Sequence, residues 1–141
     1  MLSYKTEIRV RYADTDKMQF VYNGKYFEYF EVGRTEMMRA NGFPYSEFEK
    51  KGLQLPVLET HAKYKNYAKY DDVLIVRAFV KELPLLKIKI DYEITEKETG
   101  RLIAEGYTVH VFMRSEDKKA IRPPRLFIDH LKPHYEKQYA E

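Results

Sequence analysis

Cysteine and tryptophan are absent from this 141-residue chain, so it has no disulfide and no thiol chemistry, a composition compatible with the cytosol. Glycine and proline are sparse, six of each, and no stretch concentrates them into a linker or a low-complexity segment. No apolar run approaches the ~18 residues of a membrane span. The opening residues, MLSYKTEIRVRYADTD, are charged from Lys5 onward, which argues against a secretory signal. Neither sign of charge dominates: 25 Lys and Arg stand against 22 Asp and Glu, interspersed, for a net charge of +3. That is a solvated surface rather than a basic stripe for nucleic acid. Histidine is missing from residues 1–60, and no set of ligands has metal-site spacing. These absences predict a cytoplasmic protein with no cofactor, no metal, no nucleic-acid partner and no integral membrane segment.

What is present reads as one globular domain over residues 1–141, with 44% hydrophobic and 33% charged residues. Residues 4–12 alternate, with Tyr4, Thr6, Ile8, Val10 and Tyr12 on one face, which predicts a strand with one buried side. Residues 24–41 read as a helix. Tyr26, Phe30, Gly33, Met37 and Ala40 form its apolar stripe, Asn23 is a natural N-cap, and Gly42 and Pro44 stop it. Gly33 on that stripe points to close packing against a sheet. A short second helix is expected over 45–51. Strands follow over 55–66, 72–82, 85–95 and 102–113, with Leu86, Ile88, Ile90, Tyr92 and Ile94 alternating inward and Gly100 in a turn. Short connections predict antiparallel neighbours. The tail after Arg125 is expected to be a short helix or irregular. One helix covering a larger antiparallel sheet predicts an α+β fold, in which the sheet curves around the helix and part of its surface is left for a second copy.

The stretch YADTDKMQFVYNGKYFEYFE, residues 12–31, sets two carboxylates, Asp14 and Asp16, immediately before the aromatic helix. On its own, a D-x-D here is more often a turn or a cap than a site. The surrounding pattern is more specific. VRYADTDKMQFVYNGKYFEYFEVGRTEMMR (10–39), AKYDDVLIV (68–76) and LIAEGYTVHVFM (102–113) together resemble the hot-dog-fold thioesterases of the 4-hydroxybenzoyl-CoA type, and most of all the YbgC-type acyl-CoA thioesterases. The resemblance covers most of residues 5–125 and leaves out the tail beyond about residue 126. It implies a hot-dog fold, one long central helix wrapped by a curved antiparallel sheet. It also implies hydrolysis of an acyl-CoA or acyl-carrier-protein thioester by a homo-oligomer, a dimer or a tetramer.

Carried over residue by residue, the second aspartate, Asp16, is the reacting carboxylate, as nucleophile or as general base. The thioester oxygen is received by the backbone amide of Asn23 or of its neighbour Gly24. The physics agrees, because a helix N-terminus offers unpaired N–H groups and partial positive charge to a developing oxyanion. Tyr22, Gly24, Tyr26 and Phe30 would border the substrate, with core packing the first duty of the helix aromatics. Arg122, beside Pro123-Pro124, could meet the phosphates of coenzyme A. Asp14 reads as a loop-fixing residue, Glu31 and Arg34 as an i, i+3 ion pair, and His61 and His110 as structural. The chain departs from the family pattern at Gln19, where glycine is common, and at Asn23, where the branch often has histidine. Two other classes compete. A hot-dog hydratase or dehydratase needs a His–carboxylate pair, which residues 1–60 cannot supply, and a non-catalytic acyl-binding module needs no reacting carboxylate.

Overall fold

The alternating first residues become β1 (Leu2–Arg9). In the computed structural model, which describes residues 1–136, a 3₁₀ turn over Tyr12–Asp14 follows, then α1 (Lys25–Ala40) and α2 (Tyr45–Lys50). Next come β2 (Leu53–Gln54), β3 (Val57–Tyr64), β4 (Val73–Val80), β5 (Lys87–Glu96), β6 (Leu102–Arg114), β7 (Ala120–Ile121) and α3 (Arg125–Leu131). The sheet is open and antiparallel throughout, in the order β1-β4-β5-β6-β3, with the short β2 and β7 both pairing with the end of β6. Helix α1 lies on one face, chiefly against β1 and β4. This is the α+β arrangement expected from the order of elements.

Side-chain periodicity explains the docking. On β5, Ile88, Ile90, Tyr92 and Ile94 are fully buried while Lys87 and Lys89 face out. Helix α1 buries Tyr26, Tyr29, Phe30, Gly33, Met37 and Met38, a wider face than the expected stripe, and Ala40 is exposed at its C-terminal end. Two glycines set the depth of contact. A Cβ on Gly33 would lie 2.7 Å from Cγ1 of Val76, so only glycine lets α1 settle onto β4. A Cβ on Gly106 of β6 would lie 2.1 Å from the His61 carbonyl oxygen and 2.9 Å from the Phe30 ring. That empty space receives Phe30, which stacks on Tyr92 with ring centroids 4.4 Å apart. At the far end of the sheet, α3 adds Phe127 and Leu131 to the core, with Phe127 against Phe43, Phe48 and Phe112. The tail is therefore helical through Leu131, and residues 137–141 lie outside the described residues.

Four expectations are corrected. Neither Tyr4 nor Tyr12 is buried: Tyr4 is exposed on β1, which ends at Arg9, and Tyr12 opens the 3₁₀ turn with its ring exposed. Leu86 precedes β5 and is exposed. No ion pair joins Glu31 to Arg34 among the described residues. Arg34 is instead half-buried, its guanidinium beside the Tyr45 and Tyr92 hydroxyls. Finally, β3 and β4 are not neighbours. Residues 65–72 carry the chain from one edge of the sheet past the ends of β6 and β5, about 14 Å across three strand spacings, which eight residues span easily. This crossing loop runs along the same end of the sheet as the end of β1, and it forms one wall of the candidate site.

Candidate active site

The D-x-D segment is held by its first aspartate. Asp14 is only 2% exposed, and its carboxylate accepts three hydrogen bonds: from the Arg11 amide (3.1 Å), the Arg11 guanidinium (3.1 Å) and the Tyr29 hydroxyl (2.8 Å). Burial alone would raise the Asp14 carboxyl. The Arg11 amide, the Tyr29 hydroxyl and the Arg11 guanidinium together outweigh it and hold the group below the usual carboxylate range. Burial foremost, and then the same contact with Asp14, raises the Tyr29 phenol far above its ordinary value. The Asp14 carbonyl oxygen also accepts from the Tyr22 amide at 2.9 Å. Asp14 thus ties the 3₁₀ turn to the first turns of α1, the loop-fixing task expected of it. Tyr29 was missed from the sequence. Its i, i+3 spacing from Tyr26 and the polar handle of a buried tyrosine were the available signals.

Beyond Asp14 the chain forms a small hairpin. Thr15 bridges Val21, and the Asp16 amide donates to the Phe20 carbonyl at 2.9 Å. The Gln19 amide donates to the Asp16 carbonyl at 2.9 Å, closing a three-residue loop over 17–19. Such a loop needs a left-handed residue at its last position, where glycine is favoured. Here that residue is Gln19, at φ 69°. The left-handed region costs a non-glycine residue about 1–2 kcal/mol. The hairpin is fastened to the crossing loop: Phe20 bridges Lys69, the Val21 amide donates to the Ala68 carbonyl at 2.8 Å, and Phe20 stacks on Tyr67 at 4.2 Å.

Asp16 opens this hairpin and is half-buried. Among the described residues its carboxylate accepts one hydrogen bond, from the Met18 amide at 2.9 Å, which leaves most of its lone-pair capacity free. The other arm leads through Tyr22 to Asn23 and Gly24. Asn23 does not cap α1 as expected. Gly24 already has helical angles, φ −65° and ψ −22°, and no side chain caps the end. Among the described residues neither the Asn23 nor the Gly24 amide donates a hydrogen bond. A Cβ on Gly24 would lie 2.7 Å from Cε2 of the Tyr22 ring, an exposed side chain that can swing aside. The Asn23 carbonyl accepts from the Tyr64 hydroxyl at 3.3 Å, a contact between positions 41 apart that nothing local in the sequence announces.

The expected substrate-contact residues separate into three groups. Tyr22 borders the hairpin and is 52% exposed. Tyr26 is buried against Tyr29 and Tyr64, and burial with the neighbouring Tyr64 pushes its phenol up to about 12. Phe30 is fully buried behind Tyr26 on the same helix face. Arg122 is not brought to this site within the protomer. It follows β7, which pairs with Phe112 and Met113, whereas the site end of β6 pairs Ala104 with Tyr64. Eight residues of strand, roughly 27 Å, separate these ends.

The surface around the hairpin is open and aromatic: Met18, Tyr22, Tyr64 and Tyr67 are all exposed beside Asp16 and Asn23. Among the described residues no group of three or more His, Cys, Asp or Glu is placed to hold a metal ion, and no helix is long and apolar enough to cross a membrane. His110 lies in the core, and His61 stacks on Tyr107 on β3 and β6.

Comparison with known proteins gives the same region a context. The family model described as the thioesterase-like superfamily matches residues 10–132. YneP of Bacillus subtilis is 34% identical over 125 residues, 89% of this chain and 90% of that one. The acyl-CoA thioesterase YbgC of Haemophilus influenzae is 36% identical over 77 residues, 54% of this chain and 57% of that one. The crystal structure of a DHNA-CoA thioesterase from Staphylococcus aureus superposes with a TM-score of 0.88 at 34% identity, over 99% of this chain and 93% of that one.

Proposed function

The chain belongs to the thioesterase-like superfamily, and from that premise we propose that it hydrolyses acyl-CoA thioesters to the free acid and the thiol. The reading rests on one arrangement: a lightly bonded carboxylate, Asp16, on one arm of a hairpin, and two unpaired amides, Asn23 and Gly24, on the other. The thioester carbonyl oxygen takes its hydrogen bonds from these amides, at the positive end of α1. As the carbonyl carbon becomes tetrahedral, charge builds on that oxygen, where preorganised donors are worth most. Asp16 either attacks the carbonyl carbon and expels the thiolate, leaving a mixed anhydride that water then hydrolyses to the free acid and the Asp16 carboxylate, or it takes a proton from the water that attacks the carbonyl, and the tetrahedral intermediate expels the thiolate, which takes up that proton. Tyr22, Gly24 and Tyr26 border the acyl group, and Phe30 backs them from the core. A hydratase would need a histidine paired with this carboxylate, and His110 has both ring nitrogens engaged in the core.

We also infer that two copies share each site, in a dimer or tetramer acting in the cytoplasm, with residues 1–141 as one thioesterase domain. Three features support this. The outer edge of β3 has no strand partner among the described residues. Val57, Leu58 and Tyr64 on that strand, and Tyr67 just after it, are exposed. Among the described residues, the exposed aromatic surface beside Asp16 lacks a second wall within one protomer. A monomeric mass by light scattering at micromolar concentration would contradict the shared site.

The decisive experiment is thiol release from a panel of acyl-CoAs, acetyl to palmitoyl and benzoyl, by the wild type and Asp16→Asn. An amide can neither attack nor deprotonate water, so turnover should fall about a thousandfold, some 4 kcal/mol in the barrier, with KM little changed. Full activity in Asp16→Asn would remove the carboxylate from the mechanism, whereas a wild type without turnover would leave the acyl-binding reading.

A further inference from the structure

Among the described residues, three other than glycine have left-handed backbone: Gln19 (φ 69°), Asp71 (φ 72°) and Lys118 (φ 59°). Two of them have a compensating contact. The Asp71 carboxylate pairs with Arg9 at 3.0 Å, and aspartate is among the residues that tolerate this region. The Lys118 ammonium donates to the Gln54 side chain at 3.1 Å. Gln19 has neither advantage. Its side chain is exposed and makes no hydrogen bond among the described residues, and glutamine has no special tolerance for positive φ. Glycine would satisfy the loop without strain. An uncompensated left-handed residue three positions from Asp16, its amide bonded to the Asp16 carbonyl, is strain held at the site rather than in the scaffold.

We propose that Gln19 is a further catalytic residue of this thioesterase: its carboxamide hydrogen-bonds the thioester as it reacts at Asp16, adding a side-chain donor to the backbone amides of Asn23 and Gly24. The inference rests on the thioesterase reading above and extends it by one substrate contact. The chemistry suits the residue. A carboxamide stays neutral beside a carboxylate that must remain free to react, whereas a lysine or arginine there would form an ion pair with it. The hairpin holds the Gln19 backbone at a set distance from Asp16, because the two residues are hydrogen-bonded across the turn.

The test compares Gln19→Gly, Gln19→Asn and Lys118→Gly with the wild type and Asp16→Asn, by acyl-CoA kinetics and by thermal melting. Gln19→Gly removes both the carboxamide and the strain. Its melting temperature should stay unchanged or rise by about 2 °C, while kcat falls on the order of a hundredfold with KM changed less than about threefold. Gln19→Asn keeps a carboxamide and tolerates the left-handed region, so it should recover about tenfold of the lost kcat. Lys118→Gly relieves the same strain far from the site and should keep wild-type kcat. A Gln19→Gly enzyme with full kcat overturns the inference alone and leaves the Asp16 mechanism standing. A lower melting temperature in Gln19→Gly also overturns it, because the lost rate would then reflect a damaged fold. Wild-type protein without thioester turnover overturns the thioesterase reading and this inference with it.

Discussion

Acidification should destabilise this protein through one core histidine. His110 is fully buried on β6, with Nδ1 3.1 Å from the Leu55 carbonyl oxygen and Nε2 2.8 Å from the Thr108 hydroxyl. A carbonyl only accepts, so Nδ1 carries the proton and Nε2 receives the Thr108 hydroxyl proton. Thr108 must then accept from Tyr92, 2.6 Å away, and the chain Tyr92–Thr108–His110–Leu55 has one direction. Protonating Nε2 would break it and charge the core near Arg34. Burial foremost, with the Arg34 cation adding to it, lowers the imidazole from 6.5 to about 4 against the raising effect of the Leu55 carbonyl. At ~1.4 kcal/mol per tenfold change in proton affinity, this amounts to about 3 kcal/mol.

The sign follows from proton binding. Between pH 6.5 and 4 the unfolded chain binds a proton that the folded chain refuses, so stability is full above pH 6.5 and drains as pH falls to 4. Roughly 2.5 kcal/mol should be gone by pH 4.5. The low-lying Asp14 carboxyl adds its own loss only below its ordinary 3.8, outside this window. Urea unfolding at a fixed protein concentration, from pH 7.5 to 4.5, measures the slope. His110→Gln should be less stable at pH 7 and nearly flat over the same range. A wild type that loses less than about 1 kcal/mol by pH 4.5, or a variant with the same slope, would refute the argument.

Three further outcomes are expected. Gly33→Ala gains helix propensity of about 1 kcal/mol but drives a Cβ into Val76, a cost of about 1–3 kcal/mol, so it should lower the melting temperature. Adding Val76→Ala should make the double variant more stable than the two single changes predict. Asp14→Asn should cost about 1 kcal/mol or more in denaturant unfolding through its weakened contacts with Arg11 and Tyr29, while losing less than tenfold in kcat. An inactive, fully stable Asp14→Asn would reverse the roles assigned to the two aspartates. Gly106→Ala should disturb β3, because its Cβ meets a backbone oxygen; hydrogen exchange that stays slow along residues 57–64 would count against that contact.

Period and local chemistry determined a great deal from the sequence alone. The helix over α1, the inward set of β5, the left-handed Gly100 at φ 71° and the close packing at Gly33 all follow from neighbours a few residues apart. The role proposed for Asp16 came from the family resemblance and not from period or local chemistry, while the hydrogen bonds of Asp14 carry its loop-fixing task. Tertiary structure decided whatever depends on distant partners. Strand order is one case, since eight residues reach equally well to an adjacent strand or across the sheet, and only the competition for edges settles it. Arg122 is another, placed at the far end of β6 by a pairing that no local pattern encodes. The uncapped start of α1 is a third: Asn23 has the right side chain for a cap, but the Tyr22–Asp14 hydrogen bond and the Tyr64 contact at its carbonyl set the approach of the chain instead. The positive φ of Gln19 is local by contrast, set by the three-residue loop that the Asp16–Gln19 hydrogen bond closes, although glutamine itself gives no sign of it.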